Sequence, residues 1–160
     1  MELGSEFWWF ILIGLGAQLV DGALGMAFGL VSSSVMLSMG IPPAQVSASV
    51  HTAEVFTTGA SGVSHLAAGN VDRRLFVRLA IPGAIGGAVG AYGLTQLPGD
   101  VLRPLIYLYL LALAIVILLR AAGRLLPKGD IKRVPVLGFI AGLLDATGGG
   151  GWGPVATSTL

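Results

Sequence analysis

The sequence predicts an all-α integral membrane protein, a polytopic helix bundle with broken or re-entrant helices. The prediction rests on composition, on long apolar segments and on an internal repeat. Hydrophobic residues make up 54% of the 160 residues and charged residues 11%, whereas a soluble domain carries about 25% charged residues. So few charges cannot cover a globule in water, and lipid is the solvent that tolerates such a surface.

Three segments are long enough to cross a bilayer, which takes about 20 residues. Residues 75–97 and 102–119 are strongly apolar, and residues 44–68 are more polar. The region 8–39 differs, because two apolar stretches of about 13 residues flank the segment 21–25. Each stretch is short for a crossing at about 1.5 Å per residue. We therefore expect a broken helix or a re-entrant hairpin there.

Basic residues predict the orientation of the spans, because cytoplasmic loops are enriched in Lys and Arg. One group comprises Arg73, Arg74 and Arg78, and a second comprises Arg120, Arg124, Lys128, Lys132 and Arg133. Two spans separate the groups, so both loops can lie in the cytoplasm, with residues 98–100 outside.

The strongest signal is a self-match at an offset of 124 residues. Seven residues (Gly14, Ala17, Asp21, Gly25, Gly29, Val31, Ser34) recur as Gly138, Ala141, Asp145, Gly149, Gly153, Val155 and Ser158. Phe28 corresponds to Trp152, and Ser33 to Thr157. The match predicts a first transmembrane repeat at residues 8–133 and the start of a second, truncated one at 134–160. A re-entrant region plus three spans in the first repeat would make the two repeats inverted.

Repeated broken helices point to the binding site of a secondary transporter. The N-terminus of a half-helix exposes unpaired backbone N–H groups, and these favour an anion. We expect such N-termini near Gly25-Met26-Ala27 and Gly149-Gly150-Gly151. Asp21 and Asp145 are functional candidates because a carboxylate at membrane depth is energetically unfavourable. Alternatively, each caps a half-helix by accepting backbone N–H bonds. Gly83, Gly86, Gly87 and Gly90 instead predict a helix-packing face.

Six polar residues follow a 4-3-4-3-4 spacing and so share one helix face: Ser47, His51, Glu54, Thr58, Ser61 and His65. His51 and Glu54 are candidates for proton coupling or for hydrogen bonds to an oxyanion, since histidine titrates near neutral pH. The alternative is a structural network between helices, which we favour for Ser47, Thr58 and Ser61. We also expect a structural role for His65, at the membrane interface near the cytoplasmic end of the helix. His51-x-x-Glu54 also admits a metal site, although such sites usually need more ligands on neighbouring helices.

The sequence disfavours several other functional classes of protein. The chain has no cysteine, which excludes disulfides, thiolate metal sites and a cysteine nucleophile. Its net charge is only +1 and it has no basic patch with interleaved aromatic residues, so nothing suggests nucleic-acid binding. Residues 1–7 resemble an expression tag. A signal peptide is the alternative at the N-terminus, but no Lys or Arg precedes residues 8–20.

Three runs resemble the sulfite exporter TauE/SafE family: residues 21–29, 60–72 and 145–154. The resemblance covers residues 11–160 and implies an inner-membrane permease of two homologous halves that carries sulfite, sulfonates or related small sulfur anions. It assigns family motif positions to Asp21, Gly25 and Gly29, and to Asp145, Gly149 and Gly153. His51 and Glu54 fall outside the broad family pattern, which leaves the substrate open.

The sequence therefore predicts a multi-pass permease of the inner membrane for small anions, not an enzyme, with no cofactor or resident metal. Its predicted partners are a small anionic substrate, the bilayer, and a second half supplied by the same protein or by another chain, including a homo-oligomer. The candidate substrate-binding residues are Asp21, Gly25, Met26, Ser33, His51, Glu54, Asp145, Gly149, Gly150 and Thr157. The alternatives are a membrane-embedded metal enzyme using His51, Glu54 and His65, and a scaffold without transport.

Overall fold

The computed structural model describes residues 4–123, 133–150 and 152–156. Within these ranges the chain forms α-helices and a short π-helical turn. The helices are α1 (Ser5–Leu24), α2 (Phe28–Ser38), α3 (Pro43–Ala67), α4 (Arg73–Gln96), α5 (Gly99–Ala121) and α6 (Val134–Gly148), and the turn is Trp152–Ala156. The predicted all-α architecture is confirmed.

Local chemistry explains where these helices begin and end. Pro43 occupies the first turn of α3, where its missing N–H group removes no helical hydrogen bond. The Asp72 side chain accepts hydrogen bonds from the amides of Arg74 and Leu75, which starts α4. Gly25 and Gly149 end α1 and α6 in the left-handed conformation, with φ of 80° and 71°.

Three helices are long and apolar enough to cross a membrane: Phe7–Leu24 within α1, the whole of α4 and the whole of α5. Helix α3 has 25 residues and also has the length for a crossing, but its composition is more polar. The two expected spans at 75–97 and 102–119 thus match α4 and α5.

The structure has the expected helix break in region 8–39 but corrects the length of the first stretch. Its first apolar stretch is not a short half-helix of about 13 residues, because α1 continues through Asp21 and ends at Leu24 after 20 residues. The break falls at residues 25–27, and only the second stretch forms a short helix, the 11-residue α2. Asp21 stays helical because its side chain reaches forward to the start of α2.

Helices α4 and α6 pack backbone against backbone through glycine. A Cβ atom on Gly90 would lie 2.6 Å from the Leu143 carbonyl oxygen, and one on Gly138 would lie 2.6 Å from that of Leu79. A Cβ on Gly86 would overlap the Phe139 carbonyl of α6, and the Gly83 carbonyl lies against Gly142 of α6. The packing role predicted for these α4 glycines is confirmed, and it fixes α6 beside the centre of the bundle.

Candidate functional site

The first helix break is held together by Asp21. Its main-chain oxygen accepts the Gly25 amide at 2.5 Å. Its side-chain Oδ1 accepts the amides of Ala27 at 2.6 Å and Phe28 at 3.0 Å. One residue at the end of α1 thus caps the start of α2, as the structural alternative for Asp21 expected.

The second break has the same local geometry. The Asp145 main-chain oxygen accepts the Gly149 amide at 2.6 Å, and its Oδ1 accepts the amide of Trp152 at 2.9 Å. Trp152 lies seven residues after Asp145, as Phe28 lies seven after Asp21, so the bonded positions are also related by the offset of 124. The two breaks therefore share a capping mechanism as well as a sequence motif.

The two breaks meet inside the bundle. A Cβ atom on Gly150 would lie 2.9 Å from the Leu30 amide nitrogen, and one on Gly153 would lie 2.9 Å from the Met26 Cβ. A Cβ on Gly29 would overlap the Gly149 carbonyl. Glycine is required at this junction because the two chain segments are in backbone contact.

Helix α3 places His51 against the second break. The imidazole Nε2 lies 3.2 Å from Asp145 Oδ2, and Nδ1 lies 2.7 Å from the main-chain oxygen of Ser47. A carbonyl oxygen only accepts, so Nδ1 carries a proton. An ionised carboxylate also only accepts, so the contact with Asp145 needs a second proton, either at Nε2 or at Oδ2. The pair is a site for one exchangeable proton.

Glu54, one turn further along α3, completes a cluster with His51 and Asp145. One potential ligand atom from each of the three lies within 4.8 Å of the others, and a Cβ on Gly29 would lie 3.1 Å from Glu54 Oε1. The carboxylate therefore sits beside the first break while its neighbour His51 contacts the second. Chemically, such a set can share a proton or hold a small cation.

A cavity of about 660 Å³ opens over this cluster. Its wall includes both aspartates, the first-break residues Gly25 and Met26, the second-break residues Gly150 and Gly153, and the α3 residues from His51 to Ser61. Seven of the candidate residues named from the sequence line it: Asp21, Gly25, Met26, His51, Glu54, Asp145 and Gly150.

The other candidates lie elsewhere. Ser33 is 1% exposed and packs beneath Gly149, away from the cavity wall. Gly149 itself is buried at the junction. Thr157 lies outside the described residues. His65 is exposed in the last turn of α3 and does not join the His51 cluster.

The polar residues of α3 divide by role. The Ser47 hydroxyl donates to the Ala146 carbonyl oxygen at 2.6 Å, which confirms a structural link between α3 and α6. Thr58 donates to the Glu54 carbonyl of its own helix, so it makes no bond to another helix there, and its side chain lines the cavity with that of Ser61.

Gln18 and Trp152 are among the residues of the cavity wall that the sequence analysis did not select as candidates. Gln18 precedes Asp21 by three residues in an otherwise apolar helix, a spacing that could have placed both on one face. Trp152 was noticed as the counterpart of Phe28, but its position beside both Asp145 and Gly83 depends on tertiary packing.

Comparison with known proteins agrees with this architecture. Residues 10–160 match the family model described as "Sulfite exporter TauE/SafE". The chain is 54% identical over 158 residues to "Probable membrane transporter protein YtnM" of Bacillus subtilis (strain 168), covering 94% of this chain and 53% of that protein. It is 30% identical over 99 residues to "Probable membrane transporter protein ORF9" of Sinorhizobium sp, covering 62% and 38% respectively.

The chain thus spans about half the length, or less, of these curated relatives. No solved structure matches it. The family and the relatives' names indicate a membrane transporter rather than an enzyme, as the sequence predicted. With a family match that runs over residues 10–160, the chain belongs to the sulfite exporter TauE/SafE family.

Proposed function

We propose that this chain forms half of a secondary transporter for small anions, with sulfite and small sulfonates as the first substrates to test. The observation that carries the proposal is the junction of two glycine-rich helix breaks at one polar cavity. Paired discontinuous helices at mid-membrane are the usual setting of a transporter's substrate site. The proposed localisation is the inner membrane, with several crossings.

The proposed anion site lies beside α2. Asp21 already accepts the amides of Ala27 and Phe28. Among the described residues, the amide of the cavity-lining Gly29 has no hydrogen-bond acceptor, whereas the amide of Leu30 is covered by Gly150. The missing side chain of Gly29 makes room for the Gly149 carbonyl, so Gly25, which lines the same cavity with open space around it, is the glycine that lets a ligand approach the backbone. Gln18 and Ser61 add side-chain donors on the same wall.

The carboxylates impose a condition on anion binding. A negative charge about 4 Å from an ionised carboxylate is repelled by roughly 4 kcal/mol at an effective dielectric constant of about 20. A proton on Glu54, or a second proton shared by His51 and Asp145, removes much of that repulsion. We therefore propose that the anion is bound and moved together with a proton.

The second half of the transport path comes, in this proposal, from a second repeat of inverted topology. The matched segments make up 53% and 38% of the curated relatives, so those proteins are longer than this chain, which supports such a complement. It is supplied either by further sequence of the same protein or by another chain, including a second copy.

Flux in proteoliposomes tests the proposal. Radiolabelled sulfite and a small radiolabelled sulfonate are offered with and without an imposed proton gradient. We expect uptake that the gradient stimulates, and that His51→Gln reduces to background. His65→Gln, an exposed histidine of the same helix, is the matched control and retains flux. Absence of flux for every anion offered, or equal flux in both histidine variants, would count against the assignment.

A further inference from the structure

A second cavity of about 620 Å³ lies next to the first. Its wall is built mainly from small residues of α4 and α6, such as Ala84, Ala88 and Gly142. Three residues line both cavities: His51, Asp145 and Trp152. Residues that face two adjacent cavities form the partition between them.

Helix α3 shows how the two cavities diverge from this partition. The first cavity follows α3 from His51 towards its C-terminal end, as far as Ser61. The second follows α3 in the opposite direction, to Ser47 and Ala48. Along α3, the cavities therefore extend towards opposite ends of one membrane-length helix.

The partition includes a side-chain contact between α3 and α6 and a tightly packed indole ring. His51 and Asp145 are joined by one side-chain contact at 3.2 Å, and their side chains are 35% and 19% exposed. The Trp152 indole packs against Gly83, where a Cβ would lie 2.6 Å from its Cη2 atom. Only glycine at position 83 leaves room for the ring in this position.

We propose that the His51–Asp145 bridge and the Trp152 indole form a closed gate between two sections of one anion path. The inference rests on the proposed transport function and adds the residues that block the path. The second cavity offers an anion mainly alanine and glycine, so it serves as a passage and the first cavity as the binding section. Separation of His51 from Asp145 and withdrawal of the indole from Gly83 open the gate.

The natural absence of cysteine allows a sided accessibility test. Thr58→Cys reports on the first cavity and Ala88→Cys on the second. Intact cells and inside-out vesicles are treated with a membrane-impermeant methanethiosulfonate reagent. We expect the two reporters to react from opposite faces. When His51→Ala or Trp152→Ala is added, Ala88→Cys should also be labelled from the membrane face that reaches Thr58→Cys. We expect its labelling rate from that face to rise by at least roughly tenfold, equivalent to about 1.4 kcal/mol.

The controls separate the gate from the fold and from transport. His65→Ala combined with Ala88→Cys leaves the labelling unchanged, and an unchanged Thr58→Cys rate shows that each variant is folded. Labelling of both reporters from one face of the parent protein overturns the gate. So does an Ala88→Cys rate that neither His51→Ala nor Trp152→Ala alters. Flux is measured separately: sided labelling without flux refutes the transport assignment and leaves the partition, whereas flux with unchanged labelling refutes only the gate.

Discussion

Gly25 and Gly149 adopt the same left-handed conformation, but Gly25 is exposed with open space around it and Gly149 is buried against Ser33. The two aspartates also differ, in the partners of their side-chain oxygens. Both Asp21 bonds from Oδ1 go to the start of α2, whereas Asp145 uses Oδ1 for Trp152 and Oδ2 for His51. Identical motifs thus make identical caps and different tertiary contacts.

The repeated motif by itself specifies where the helix breaks and how it is capped. The neighbouring helices determine which side chains and which cavity the break contacts. The first break leaves Gly25 and the capped start of α2 beside an open cavity. At the second break, the Asp145 carboxylate contacts both the capped Trp152 amide and the His51 imidazole. Histidine titrates near neutral pH, so His51 and Asp145 can share an additional proton. We expect substitutions at equivalent positions to have unequal effects.

The largest contrast is expected between Gly149→Ala and Gly25→Ala. Both introduce a side chain in the left-handed region, at about 1–2 kcal/mol. At Gly149 the new methyl group also overlaps Ser33, and overpacking adds about 1–3 kcal/mol. Thermal unfolding in detergent should show a much larger loss of stability for Gly149→Ala. Equal losses would mean that the second break is not tightly packed.

The aspartates provide the next contrast. Asn retains an oxygen that can accept the capping N–H bonds at both breaks, so Asp21→Asn and Asp145→Asn should both fold. Only Asp145→Asn removes the charge facing His51, and we expect it to lower gradient-driven anion flux by at least roughly tenfold, which corresponds to a transport barrier higher by about 1.4 kcal/mol. Asp21→Asn should reduce flux less. The reverse order would place the responsive carboxylate at the first break.

Removal of the cap itself should have a moderate effect. Asp21→Ala leaves the amides of Ala27 and Phe28 without their acceptor, which costs about 0.5–2 kcal/mol. Asp100→Ala, an exposed carboxylate in the first turn of α5, is the control in the same unfolding assay. If the two variants unfold alike, Asp21 does not stabilise the break.

The smallest effect is expected at Ser33. Its buried hydroxyl has no hydrogen-bond partner among the described residues, so Ser33→Ala removes an unpaired polar group and should leave stability unchanged or raise it by up to about 1 kcal/mol. Flux should be unchanged, because Ser33 lies off the cavity wall. A marked loss of flux would restore the sequence-based assignment of Ser33 to the substrate site.

The sequence was informative wherever a short-range pattern decides the structure. Apolar length located α4 and α5, and the spacing of polar residues put His51 and Glu54 on one face of α3. The end of α1 was misplaced by a few residues because the break was expected across residues 21–25, whereas Asp21 lies within α1 and its side chain caps α2 from there.

Contacts between distant segments could not be predicted in this way. His51 and Asp145 are 94 residues apart, and no periodicity relates α3 to the end of α6. Ser33 was selected through its counterpart Thr157, but burial is a tertiary property that the repeat does not encode. The position of Trp152 likewise depends on how α4 and α6 pack through glycine.

Entry of a small anion into the cavity where the breaks meet can be measured by fluorescence. Replacing Trp8 and Trp9 by Phe leaves Trp152 on the cavity wall as the fluorescent reporter. We predict a saturable change in Trp152 emission on titration with sulfite or a small sulfonate, strengthened at lower pH and absent with sodium chloride at equal ionic strength. If no sulfur anion alters the emission spectrum at any pH, the cavity where the two helix breaks meet is not an anion-binding site.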